Sequence, residues 1–132
     1  MKSIGDTLDR WSIVKLKLER IGNQFNDEFH VLEFEIIKIE NNYQDFDIRQ
    51  WCQMMYDINE KIWNLESGLR SGKEELKNEH YIFDAENSGV LSKIGMIAVM
   101  VRDYNRLRIS FKNIVNKLTS GYQEIKKDHL SV

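Results

Sequence analysis

Large apolar residues recur along this chain at alternating intervals of three and four, the spacing that aligns one face of an α-helix. In the first segment, 4–41, Ile4, Leu8, Trp11, Leu18, Phe25, Phe29, Leu32, Ile36 and Ile39 keep one phase, and Lys15 and Gly22 take the two slots that fail. Because the phase survives across Gly22-Asn23, the spacing predicts one long helix, kinked at the glycine. Two helices joined by a short Gly-Asn-Gln turn are the alternative. Asp6 or Thr7 is expected to start the helix, since a short polar side chain can accept from the orphan N–H groups there. Ile13 and Leu16 lie off the main seam, so this helix is apolar on a second side and is expected to sit centrally or to face another subunit.

Residues 41–47, NNYQDFD, form a polar break, and Asp47 suits the N-cap of a second helix over 47–70. Its seam is Ile48, Trp51, Met55, Ile58, Ile62, Leu65 and Leu69, without a miss, and Ser67-Gly68 and Ser71-Gly72 mark its expected end. Residues 71–89 read as an irregular hairpin. Lys73–Glu79 could make a short surface helix within it, and the apolar Tyr-Ile-Phe at 81–83 is expected to fold onto the bundle end. The third helix, 90–127, carries Ile94, Ile97, Val101, Tyr104, Phe111, Val115, Leu118, Tyr122 and Ile125, with Arg108 in the one polar slot. Met100, Leu107 and Ile114 widen its stripe, as expected for a helix packed against more than one neighbour. The fold these seams predict is all-α. It is an elongated, coiled-coil-like antiparallel bundle of three long helices, one domain over 1–132, with a length that favours a homodimer or higher assembly.

Composition narrows the function classes. With 132 residues the chain supports one modest core, and zero prolines leave long stretches without a helix breaker. Two alanines against many Ile, Lys and Asn are the bias of an AT-rich coding sequence. A formal net charge of −2 argues against a polyanion binder for the molecule as a whole. The single cysteine, Cys52, leaves no intrachain disulfide and fits a reducing compartment. The N-terminus MKSIGDTLDRW lacks the apolar core of a signal peptide, and the longest apolar run is only Met96–Val101. A cytoplasmic, soluble protein with no membrane partner is expected. Charge is unevenly shared: 93–127 holds eight basic and two acidic residues, whereas 33–47 is acidic. Packing of complementary helices explains this better than a nucleic-acid face, because the basic residues are spread around the helix.

Catalytic and metal chemistry finds little purchase. His30, His80 and His129 fall in separate segments, so a closed zinc site, which needs four ligands, is not expected. Helical pyrophosphohydrolases place Glu-x-x-Glu and Glu-x-x-Asp pairs on one helix face to hold magnesium. Here no Glu is followed at i+3 by Glu or Asp. The nearest pairs, Asp6/Asp9 and Asp57/Glu60, read as helix-start charge and solvated surface. No glycine-rich phosphate loop exists, and no cofactor is expected.

What remains is a set of polar residues at the seam edges. Asn105, Arg108 and Lys112 line one flank of the third helix; Asn59, Trp63, Glu66 and Arg70 line one flank of the second; Asp9 and Arg10 bracket the core on the first. An arginine inside an apolar arc needs a partner, since an unpaired buried charge is costly. Glu66 is the expected acid, and a stem laid along the core with its head in water is the alternative. If the two flanks converge, Asn105, Arg108, Lys112 and Arg70, with Trp63, Glu66, Asp9 and Arg10 nearby, form a candidate ligand site for a nucleotide or sugar phosphate.

Three stretches carry a resemblance: GDTLDRWSIVKLKLERI (5–21), IWNLESGLR (62–70) and VRDYNRLRISFKNIVN (101–116). They are similar to a small family of uncharacterised bacterial and phage helical proteins. The family's acid–base pair, Ser/Thr–Ile and Lys-x-Glu-Arg-Ile pattern corresponds to Asp9, Arg10, Ser12, Ile13, Lys17, Glu19, Arg20 and Ile21. Its Trp-x-x-Glu-x-x-x-Arg corresponds to Trp63, Glu66 and Arg70. Its Tyr-x-x-Asn-x-x-Arg region is similar only with a shift: Tyr104 directly precedes Asn105, while Arg108, Lys112 and Asn116 match. Arg106 and Leu107 stand where the family has acidic residues, a departure that bears on any shared acid-dependent chemistry. The resemblance implies positions rather than an activity. The leading expectation is therefore a non-enzymatic bundle acting by assembly or partner binding, and the anionic-ligand site is the alternative.

Overall fold

The computed structural model describes residues 2–77 and 85–130, and among them it is all-helical apart from short connections, with no strand. Four long helices appear rather than three: α1 (Ile4–Arg20), α2 (Asn26–Asn42), α3 (Ile48–Lys77) and α4 (Ala85–Leu130). The long first segment is therefore two helices. Its break lies at Gly22, whose φ of +150° is a backbone region that residues with a Cβ rarely adopt, and a single 3-10 turn, Asn23–Phe25, leads into α2. The cap of α1 is neither Asp6 nor Thr7 but Ser3, whose hydroxyl accepts from the Asp6 N–H at 3.1 Å. Asp6 in the first turn and Lys17 and Arg20 in the last complement the helix dipole. Asp47 does cap α3, its carboxylate accepting from the Gln50 N–H at 3.1 Å.

Helix α3 does not end at either Ser-Gly pair but continues to Lys77, and α4 starts at Ala85, so most of the expected hairpin is helix. Glycine inside a helix costs only about 1 kcal/mol, and at Gly68 its missing Cβ lets α4 approach: a Cβ there would lie 3.5 Å from Ile97 Cδ1. The Tyr-Ile-Phe stretch and His80 lie outside the described residues. Among the described residues, no helix is long and apolar enough to cross a membrane.

The chain falls into two compact units. The first contains 1–59 and 108–132, and the second 60–107. In the first, Leu8, Trp11, Val14, Leu32, Ile36, Ile48, Cys52 and Val115 form one buried cluster drawn from all four helices. Helix α1 is its axis: Thr7, Leu8, Asp9, Trp11, Ser12, Val14 and Leu16 are all buried, so α1 is covered on several sides. Leu16, off the main seam, is buried as the second apolar side required, while Ile13 is half-buried. Lys15 fits its apolar slot by laying its ammonium 5.1 Å from the centre of the Trp11 ring and 4.8 Å from that of Tyr56. In the second unit Ile62 is buried, and many apolar side chains of α4, Met96, Val99, Met100 and Leu107 among them, stand exposed.

Candidate functional site

The polar centre of the first unit grows from α1. Asp9 follows Leu8 in the helix and precedes Ser12 by one turn, so a buried face carries a carboxylate and a hydroxyl side by side. Burying that carboxylate requires donors, and two helices supply them. From α4, Arg108 donates through Nε to Asp9 Oδ1 at 2.8 Å and through Nη2 to Oδ2 at 2.5 Å, a two-pronged grip. From α3, the Asn59 amide donates to Asp9 Oδ1 at 2.9 Å and to Ser12 Oγ at 2.7 Å, and the Ser12 hydroxyl donates to the Asp9 backbone carbonyl at 2.7 Å. Lys112, one turn beyond Arg108, sets its ammonium 2.6 Å from Asp6 Oδ1 and 3.7 Å from Asp9 Oδ2.

Just beyond, the helices come too close for a side chain on α1. The Gly5 N–H donates to Asn116 Oδ1 at 2.7 Å, and a Cβ on Gly5 would meet the Lys112 carbonyl oxygen at 2.7 Å. Gly5 is therefore the contact point that brings α1 and α4 near enough for Arg108 and Lys112 to reach their acids.

The electrostatics follow from this packing. Burial pushes the Asp9 carboxyl upward, but the hydrogen bonds from Arg108 and Asn59 and the nearby cations outweigh it and hold the group below the usual carboxylate range. The hydrogen bonds from Lys112 and Ser3 likewise lower Asp6. Two carboxylates face two cations, so the cluster balances its own charge. Both Asp9 oxygens are already occupied by donors, which suits a lock between helices rather than a general base.

A second network flanks the core between α2 and α3. Arg49 donates to Glu33 through Nη1 at 2.9 Å and through Nη2 at 3.1 Å, and to Glu40 at 3.1 Å, while the Trp11 indole N–H donates to Glu33 at 2.6 Å. The Arg49 hydrogen bonds, with that of Trp11, lower Glu33 despite the opposing effect of burial. Burial pushes the Cys52 thiol up to about 12, which keeps it neutral and unreactive.

Of the candidate residues, the structure brings Asp9, Arg108 and Lys112 together. The acid that grips Arg108 is Asp9, not Glu66: Glu66 is exposed in the second unit. Asp6 is helix-start charge with a half-exposed side chain, as expected, but Asp9 is not on a solvated surface, for its side chain is 7% exposed. Arg10 points elsewhere, to Glu28 on α2. Trp63, Arg70 and Asn105 belong to the second unit; Arg70 donates to Ser67 at 3.3 Å, and the Asn105 amide donates back to the Val101 carbonyl at 3.1 Å. Ser12, Asp6, Asn59 and Asn116 are members of the junction that the expected ligand site did not include. Ser12 at i+3 from Asp9 was the available signal, since a polar pair spaced one turn apart beside Leu8 faces the same neighbours. Among the described residues, no three His, Cys, Asp or Glu side chains converge as metal ligands would.

Comparison with protein-family models, curated proteins and solved structures found no match to this chain. Fold and site together define an all-helical protein whose main polar junction is charge-balanced.

Proposed function

We propose that this chain is a non-enzymatic helical-bundle protein that works through assembly or through binding a protein partner. The observation that carries the reading is the amount of large apolar side chain left exposed on well-formed helices: Val31, Phe34 and Ile37 on α2, and Met96, Met100, Leu107, Ile114, Leu118 and Ile125 on α4. Exposed apolar surface at this density on a folded protein marks an interaction face. The buried polar cluster supports the same reading. Arg108 and Lys112, the donors an anionic ligand would use, are engaged by Asp9 and Asp6, which turns them into a register device between helices.

Sedimentation velocity combined with affinity capture from cells carrying the native gene tests it. Self-association, or a stoichiometric partner, is the expected result. A stable monomer that captures no protein would overturn it.

A further inference from the structure

Helix α3 leaves the first unit after Asn59, and α4 returns to it at Arg108. These two boundary residues are also the two that hold Asp9. The Asn59 amide donates to Asp9 Oδ1 at 2.9 Å and to Ser12 Oγ at 2.7 Å, and Arg108 grips both carboxylate oxygens. Asp9, Ser12 and Asn59 are 5%, 0% and 6% exposed. All four residues belong to the first unit. One buried carboxylate on α1 therefore ties down α3 and α4 at the last residue that each contributes there. Unwinding either helix past that point would strip donors from Asp9 and leave a charge in a poor solvent.

Beyond the boundary the two helices have less to hold them. Among the described residues, ten of the eleven buried apolar side chains belong to the first unit, and Ile62 is the one in the second. Met96, Val99, Met100 and Leu107 of the second unit are between 43% and 68% exposed. Glycine adds to the weakness. Gly68, Gly72, Gly89 and Gly95, four of the seven glycines in the chain, lie inside the helices of the second unit. Glycine is the poorest helix former after proline, because ordering its backbone loses the most entropy. At Gly89 and Gly95 no packing demands it, since a Cβ there would meet nothing within 4 Å. In the first unit the same is true of Gly121 alone; a Cβ on Gly5 would strike the α4 backbone, and Gly22 has a positive φ.

We infer that 60–107 opens as a cooperative unit of its own, its helical turns unwinding while the first unit stays folded, and that the Asp9 junction is the stop that confines the opening. Local unfolding starts where the least apolar surface is buried, which here is the second unit. It halts where the next turn would uncover Asp9. The inference goes beyond assembly and holds whether or not a partner binds.

Hydrogen exchange of the full chain, followed by mass spectrometry, reads this segment by segment. Amides of 60–77 and 89–107 should exchange about a hundredfold faster than those of 50–58 and 109–119. Gly89→Ala combined with Gly95→Ala stabilises helix without touching the first unit. It should slow exchange in the second unit about tenfold and leave the first unchanged. Uniform exchange in the wild-type chain, or equal slowing of both units by the alanine pair, would overturn separate opening. Asn59→Ala frees α3 from the stop and leaves Arg108 on Asp9. It should bring 52–58 to the rate of the second unit while 109–116 remain slower. No response to Asn59→Ala, or an equal rise on both helices, would overturn the stop.

Discussion

Truncating Arg108 to alanine should cost far more than its position on the chain suggests. The substitution removes both guanidinium hydrogen bonds from a carboxylate whose side chain is 7% exposed, while Arg108 itself is 29% exposed. Stripping one partner from a fully buried ion pair costs about 3–5 kcal/mol, because the survivor is left charged in a poor solvent. Here Asn59 still donates to Asp9 and the Lys112 ammonium stands 3.7 Å away, and partial access at Arg108 admits some water. The residual cost is then about 2–3 kcal/mol. For a chain of this length, that lowers the midpoint of thermal unfolding by roughly 6–15 °C. Arg108→Met keeps the stem but not the pair, so it should fall in the same range. Glu66→Ala, at an exposed position, should stay within about 0.5 kcal/mol. The assay is a double-mutant cycle over Asp9→Ala and Arg108→Ala, followed by thermal and urea unfolding. An additive cycle, or a normal midpoint for Arg108→Ala, would refute the lock and leave Arg108 a snorkelling surface residue.

Gly5→Ala and Gly95→Ala should move stability in opposite directions. At Gly5 the new Cβ meets the Lys112 backbone, so circular-dichroism melts should show a loss of about 1–3 kcal/mol; at Gly95 nothing lies within 4 Å, and the melts should show a gain of up to about 1 kcal/mol. Acid titration should expose the paired carboxylates. Asp6, Asp9 and Glu33 have folded pKa values below their ordinary values of 3.8, 3.8 and 4.5, so their stabilisation is fully present above those values and lost as pH falls through the folded ones. Unfolding midpoints that are flat below pH 4 would contradict this. Cys52 should resist a thiol reagent in the native protein and react at once in denaturant; rapid native labelling would show that the core opens. A thermal-shift screen with phosphorylated metabolites should find no stabilisation, and a clear positive shift would revive the anionic-ligand reading.

The seams of α3 and α4 were legible because their phases run unbroken through continuous helices. At Gly22 the position of the break was legible but the choice between a kink and a turn was not, and the reason is geometrical: heptad spacing counts residues and is blind to chain direction. Leu18 and Phe25 remain seven apart whether the chain continues or turns. Arg108 stood out as a polar fault in an apolar seam, and an acid partner could be inferred from the cost of burying its charge. Which acid it was depended on the packing of α1, since Asp9 beside Leu8 looks in sequence like any carboxylate near a helix start. The exposure of Met100, Leu107 and Ile114 was equally hidden, because apolar spacing marks a face that something should cover without saying whether the same chain covers it.

The junction of Asp9 with Arg108 also orders events in time. Its two residues are separated by 99 positions, and the first unit is assembled from both ends of the chain. During synthesis α1 and α2 leave the ribosome while Arg108 and Val115 are still untranslated. Leu8 and Val14 then lack part of their cover, and Asp9 its strongest counter-charge. A helical hairpin alone would form early from local contacts, but this unit must wait until residues beyond 108 are available. Emergence of α4 is therefore the step that lets α1 settle, and a chain cut short before residue 108 leaves an incomplete first unit rather than a smaller folded protein.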